Sequence, residues 1–374
     1  MPRYITVLEL AMATAMLWTV VMPGSAVAQA GGSGVTLEVR IGSTDGDEPY
    51  LFDHVTDAIR LSNGEIVVGN QGTGQLRWYS ASGRWIRSRG REGSGPGEYR
   101  GLRRILWLPG DSVLAEDGIT SRLTLYDREG TLVRSWRTAS AGALSPSPPI
   151  GRLNDGRFVA VAQRSLTPPP GHTRFDAILV RYGDSDTHDT LAVLRGGEGY
   201  TVPCGRGVCG IDVPYGLRTI AAASADYVYF GTGEQYAILR IDPRTRRVDT
   251  LRREVPAAEL TDALRAFFVD SVVGTVPQNR RAMVRSLYAD IPVRRTLPFF
   301  NHLLTDDQGH LWAARSQAPG ASQRAWDQLD ASGRFLGSVL LPAGLRVTRI
   351  ADGYVVGITR DDSGVEFVDV YRLR

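Results

Sequence analysis

Lysine is missing from this chain: its 43 basic residues are all arginine. Chemistry that needs an amine side chain is therefore excluded, including Schiff-base catalysis, a phosphate-loop lysine and the nucleotide-binding lysine of kinases. The arginines are interspersed with 40 acidic residues, leaving a net charge of +3. No dense basic tract of the kind that tracks phosphates occurs, so nucleic acid is not an expected partner. Cysteine is nearly absent, with only Cys204 and Cys209 in 374 residues. A Gly-x-Ser-x-Gly nucleophile elbow is lacking too. Beyond the N-terminal region no segment is long and apolar enough to cross a bilayer.

What is present begins with an export signal. Arg3 supplies a positive start, and Ile5 to Met22 is largely apolar, interrupted by Glu9. Pro23, Gly24 and Ser25 then break the run. Ala26-Val27-Ala28 fits the small-x-small pattern of a cleavage site, with Ala28-Gln29-Ala30 as an alternative. A signal peptide over residues 1–28 is expected, with the mature protein periplasmic or secreted. In an oxidising compartment, two cysteines four residues apart are most simply a disulfide, so Cys204–Cys209 is expected to close a small loop.

The rest of the chain repeats. Ile59 and Leu61 alternate up to Asn63-Gly64, and Ile66 to Val68 begins a second strand. An Asn-Gly pair between alternating runs is a strong hairpin signal. Gln75 to Tyr79 and Arg84 to Ser88 complete a four-stranded meander. Five further copies follow, with first turns near Pro109-Gly110, Asn154-Asp155-Gly156, the strand before Tyr227, Asp307-Gln308-Gly309 and Asp352-Gly353. The last copy has only three strands, whereas Val35 to Ile41 is an orphan strand at the other end. An all-β fold is expected: a six-bladed β-propeller over 35–374, its ring closed by the N-terminal strand, which removes the open edges. Residues 256–290 switch to helical spacing (Leu260, Leu264, Phe267 and Phe268, then Met283, Leu287 and Tyr288) and predict a helical hairpin insertion starting near Pro256. Trp78, Trp85, Trp107, Trp136 and Trp312 fall inside predicted strands, where packing between blades accounts for them.

The linker Arg91-Glu92-Gly93-Ser94-Gly95-Pro96-Gly97-Glu98-Tyr99 resembles the Gly-Ser-Gly-Pro-Gly-Gln/Glu-Phe linker of the NHL-repeat and TolB-like group of bacterial six-bladed propellers, and Leu311-Trp312 after its turn is similar to their second strand. The resemblance implies architecture rather than activity.

In a propeller the first strand of each blade lines the channel. Counting back from the core residues gives Asp57, Arg103, Pro149, Arg218 (to within one residue), His302 and Arg346. Asp57, Arg103, Arg218, His302 and Arg346 form the candidate ligand site, because guanidiniums present a planar donor fork to carboxylate or phosphate. The expected role is an exported module, a monomer, binding a protein or a small anion, with no catalytic residue and no cofactor assigned. The alternative is a metal-dependent hydrolase or lyase, lactonase-like or amidating-lyase-like, holding calcium or zinc with His54, His302, Asn301, Asp53 and Asp57 at the channel mouth. Three ligands and an open position are what a catalytic zinc needs, and only two of the five histidines lie near that mouth.

Overall fold

The computed structural model describes residues 34–137, 144–164, 168–183, 188–204 and 207–374. The expected signal peptide and both cleavage sites lie outside the described residues. The molecule is nearly all β, and among the described residues its strands form six antiparallel sheets. The N-terminal strand is β1 (Val35–Ile41). The first sheet contains β2 (Val55–Arg60), β3 (Ile66–Asn70), β4 (Gln75–Tyr79) and β5 (Trp85–Arg89). The second contains β6 (Leu102–Leu108), β7 (Ser112–Asp117), β8 (Arg122–Tyr126) and β9 (Leu132–Arg137). The third is larger, with β10 (Leu144–Pro146), β11 (Gly151–Arg152), β12 (Phe158–Arg164), β13 (Gly171–Tyr182), β14 (His188–Cys204) and β15 (Gly207–Ile211). The fourth has β16 (Ile220–Ala223), β17 (Val228–Gly231), β18 (Ala237–Ile241) and β19 (Val248–Arg252). Helices α1 (Asp262–Thr275) and α2 (Gln278–Leu287) follow. The fifth sheet has β20 (Phe300–Thr305), β21 (Leu311–Arg315), β22 (Gln323–Leu329) and β23 (Phe335–Pro342). The sixth has β24 (Arg346–Ala351), β25 (Tyr354–Arg360) and β26 (Glu366–Leu373), and β1 pairs with β26 as its outer strand.

The turns show why the meanders form. Gly64 adopts φ +87°, and its N–H donates to the Leu61 carbonyl at 3.0 Å. A side chain is strained at that φ, and a Cβ there would also sit 3.0 Å from that of Ala81. Alternation then gives each sheet apolar residues on both faces, and every successive pair of sheets shares a core. Leu76 and Trp78 meet Leu102, Ile105 and Tyr126. Leu114 and Leu123 meet Phe158 and Ile178. Val159 and Leu179 meet Val228 and Ile241. Tyr229 and Ile238 meet Phe300 and Leu303. Trp312 and Trp326 meet Val347 and Val355. Finally Val356 and Val368 of the sixth sheet, with Ile41 of β1, meet Val55, Ile66 and Tyr79 of the first. This cyclic succession is consistent with a propeller. Each large side chain so buried contributes about 1.5–3 kcal/mol, and the strand from the N-terminus is part of the seam between last and first sheets. Arg40 on β1 adds a two-bond pair to the buried Asp369 carboxylate, at 2.7 and 2.8 Å.

Three details depart from the sequence reading. The third sheet has long strands where short ones were expected. The extensions 171–176 and 195–204 carry glycine and polar residues, with alternation only in the short run Tyr200, Val202 and Cys204, so periodicity did not reveal them. The first helix starts later than Pro256, at Asp262, capped by Thr261 whose Oγ1 accepts from Leu264 N at 3.3 Å. Pro277 precedes α2, as the break between two helices requires. Trp78 and Trp312 are buried as expected, but Trp85 on the outer strand β5 is exposed.

The helices pack against the third sheet's extension. Phe268, Val269, Val273 and Tyr288 share a cluster with Tyr200, Ile211 and Val213. Both elements project from the side where the first strand of each sheet begins, because α1 and α2 connect the end of β19 to the start of β20.

Candidate channel-mouth anion site

The inner strands carry a recurrent irregularity. β2 shifts register between Val55 and Asp57, β6 between Leu102 and Arg104, and β20 between Phe300 and His302. A bulge adds one residue and re-aims the side chain after it. Asp57, Arg104 and His302 are therefore equivalent, each being the first paired residue beyond the bulge. The sequence count missed this extra residue and selected Arg103 instead. Arg103 turns away and forms a two-bond pair with Glu116, Nε to Oε2 at 3.0 Å and Nη2 to Oε1 at 2.5 Å.

Three of the five expected residues come together: Asp57, His302 and Arg346. Asp57 is buried and its Oδ2 accepts from Ile105 N at 3.3 Å, with Arg104 Nε 4.0 Å away. Arg346 reaches across to the first sheet, donating to the carbonyls of Thr56 at 2.9 Å and Val55 at 2.8 Å. The His302 ring lies 5.4 Å from that of Trp326. Arg324, two residues before Trp326 on β22, is the member that no sequence pattern marked. Its Nε is buried without a hydrogen-bond partner, and so is that of Arg104. Arg218 does not join the group. It pairs with Asp212 at 3.5 Å in a separate cleft of about 320 Å³ that also contains Glu198.

Electrostatics ties the group together. Burial pushes the His302 imidazole down to about 3, and the charges of Arg104, Arg324 and Arg346 push the same way, so the ring is neutral at physiological pH. Burial raises the Asp57 carboxyl, while Arg104 and Arg346 pull it back. Arg324 is lowered by burial. Arg346 is lowered chiefly by burial, with Asp57 and Glu366 acting against it. A guanidinium remains charged throughout. His302 is partly exposed and Arg346 exposed, so both keep solvent contact. At the edge, Glu366 cancels Arg360 through a 2.5 Å contact and accepts from Val55 N at 2.6 Å. The charges of three guanidiniums thus act on a neutral imidazole, and those of Arg104 and Arg346 act on the Asp57 carboxylate as well. Such a group can hold an anion by charge-assisted hydrogen bonds.

Other expectations fall elsewhere. His54 contacts only its neighbour Asp53 among the described ion pairs, and both are exposed. Among the described residues no three His, Cys, Asp or Glu side chains gather as a metal would require. Cys209 lies on β15 opposite Val202, one strand from Cys204 on β14, whose side chain lies outside the described residues. A second cavity of about 520 Å³ is lined by Tyr236, Arg252, Arg253 and Phe299. It sits above Asp327, which is fully buried and accepts from Arg315 at 2.8 Å, Tyr236 at 2.8 Å, Ser338 at 2.5 Å and Arg253.

No protein-family model and no curated protein matches the chain in sequence. The likeness to NHL-type propellers therefore rests on the 91–99 linker and the Leu311-Trp312 strand. Among solved structures the chain is similar to a member of the DUF4221 family from Bacteroides vulgatus, at 8% identity and a TM-score of 0.53, over 91% of this chain and 99% of that one. A presumed exported protein from Bacteroides fragilis aligns at 11% identity and a TM-score of 0.49, over 91% and 96%. Virginiamycin B lyase from Staphylococcus aureus, a propeller-type protein, aligns at 9% and 0.44, over 91% and 100%. At such identities the first of these bears on the fold alone. Among the described residues no helix is long and apolar enough to cross a membrane.

Proposed function

We propose that the chain is an exported six-bladed β-propeller that binds a small carboxylate or phosphate anion at the mouth of its central channel. The cyclic succession of six shared cores supports the ring, with β1 completing the last blade. The observation that carries the ligand class is that the charges of Arg104, Arg324 and Arg346 all act on His302. Of these, Arg324 has no hydrogen bond or ion pair of its own among the described contacts, and Arg104 approaches Asp57 no closer than 4.0 Å. Arg346 spends its donors on neutral carbonyls, so its charge is not cancelled by them. Part-buried guanidiniums whose charge is only partly met are costly, and an incoming oxyanion offsets that cost. The leader and the Cys204–Cys209 pair fit an oxidising compartment.

Titration calorimetry with acetate, succinate, sulfate and phosphate tests the reading. Arg324→Gln and Arg104→Gln should each weaken the bound anion by roughly 10- to 100-fold, the worth of one charge-assisted hydrogen bond. Equal binding by both variants and the wild type would place the anion elsewhere.

A further inference from the structure

Resting on that reading, we propose that Asp57 is a resident counterion which takes up a proton when the anion binds, so that the site captures an anion and a proton together. The geometry comes first. Asp57 faces Arg104 and Arg346, two of the charges the ligand would use, and the other carboxylate acting on Arg346, Glu366, is paired with Arg360. From β6 it is faced by Arg104 and by the Ile105 N–H, and from β24 by Arg346. His302 on β20 shares that field as a neutral ring. Arg360 on β25 and Glu366 on β26 cancel each other and leave the balance unchanged.

Burial already works against the ionised form of Asp57, and only Arg104, Arg346 and one backbone N–H hold it charged. An anion held by Arg104 and Arg324 beside Arg346 offsets the field of Arg104 and Arg346 and adds its own repulsion. Both changes favour the neutral acid. The bound proton comes from solvent, and no other group in the cluster can supply it: the imidazole is already neutral, and guanidiniums do not release protons.

Linkage fixes the consequence. Where one proton is taken up per anion, affinity rises roughly tenfold for each unit fall in pH. Sulfate is the probe, because it stays fully ionised over the range that matters. Calorimetry of sulfate binding at about pH 6.5, repeated in buffers of different ionisation enthalpy, reads the proton count directly. The expected result is uptake approaching one proton per sulfate, with weaker binding at about pH 8. In Asp57→Asn, which keeps an acceptor for Ile105 N–H, the uptake should vanish and affinity at the higher pH should rise by about tenfold. Sulfate binding without proton uptake in the wild-type protein overturns the coupling and leaves the anion site standing. No sulfate binding at either pH overturns the anion site itself. The decisive wild-type measurement needs no variant to fold.

Discussion

Replacing His302 tests whether the charges around it act on one another as described. The imidazole is held at about 3 in the folded chain, against 6.5 for an ordinary histidine. When a folded value is depressed, the unfolded chain binds the proton first. Stability therefore falls as pH drops below about 6.5, and the loss levels off only near 3. At about pH 5 the unfolded histidine is almost fully protonated while the folded one is not, a difference of about 2 kcal/mol. His302→Gln removes the titration but keeps a neutral polar group beside Trp326. Between about pH 7 and pH 5, the wild-type protein should lose about 2 kcal/mol more than His302→Gln, measured by urea denaturation at each pH. The raised Asp57 acts in the opposite direction, since its folded form gains protons first on acidification, but it is common to both proteins. A constant offset between the two curves reflects lost packing on Trp326. Parallel curves with no difference in slope would refute the burial of His302 among Arg104, Arg324 and Arg346.

Three further expectations concern the scaffold. Asp327→Ala leaves Arg253, Arg315 and Tyr236 without their shared acceptor and should cost about 3 kcal/mol in urea denaturation. A chain beginning after Ile41 loses β1, exposes the edge of β26 and deprives Asp369 of Arg40, so it should aggregate or melt well below the full mature protein in calorimetry. Mass spectrometry of unreduced mature protein should show a mass lower by two hydrogens than the reduced form, with no thiol accessible to alkylation, if Cys204 and Cys209 are joined as proposed.

The architecture was legible because its signals are local. Asn63-Gly64 and its counterparts force hairpins, and the missing fourth strand of the last meander pointed directly to Val35–Ile41. The helical hairpin was legible from its spacing, although the start at Thr261 depended on a capping hydroxyl rather than on Pro256. The third sheet was not legible beyond its core, since Gly196, Gly197 and Gly199 and the polar residues around them carry no alternation. The candidate site was half legible. Asp57 and His302 were found because counting back from the core residues happened to reach the position after the bulge. Arg103 was chosen over Arg104 because a one-residue bulge leaves no mark in an otherwise regular apolar pattern. Arg324 joins from a third strand across the sheet, and Arg218 is drawn off by Asp212; both are facts of tertiary placement that no periodicity encodes.

The most direct measurement is equilibrium binding of small anions to the wild-type mature protein and to Arg324→Gln, in the same buffer and at low salt, where electrostatic attraction is least screened. A carboxylate, sulfate or phosphate that binds the wild-type protein and is weakened at least tenfold by the single substitution is the expected result. Anion binding that Arg324→Gln leaves unchanged, or no binding by any of these anions, would contradict the assignment of the channel mouth as an anion site.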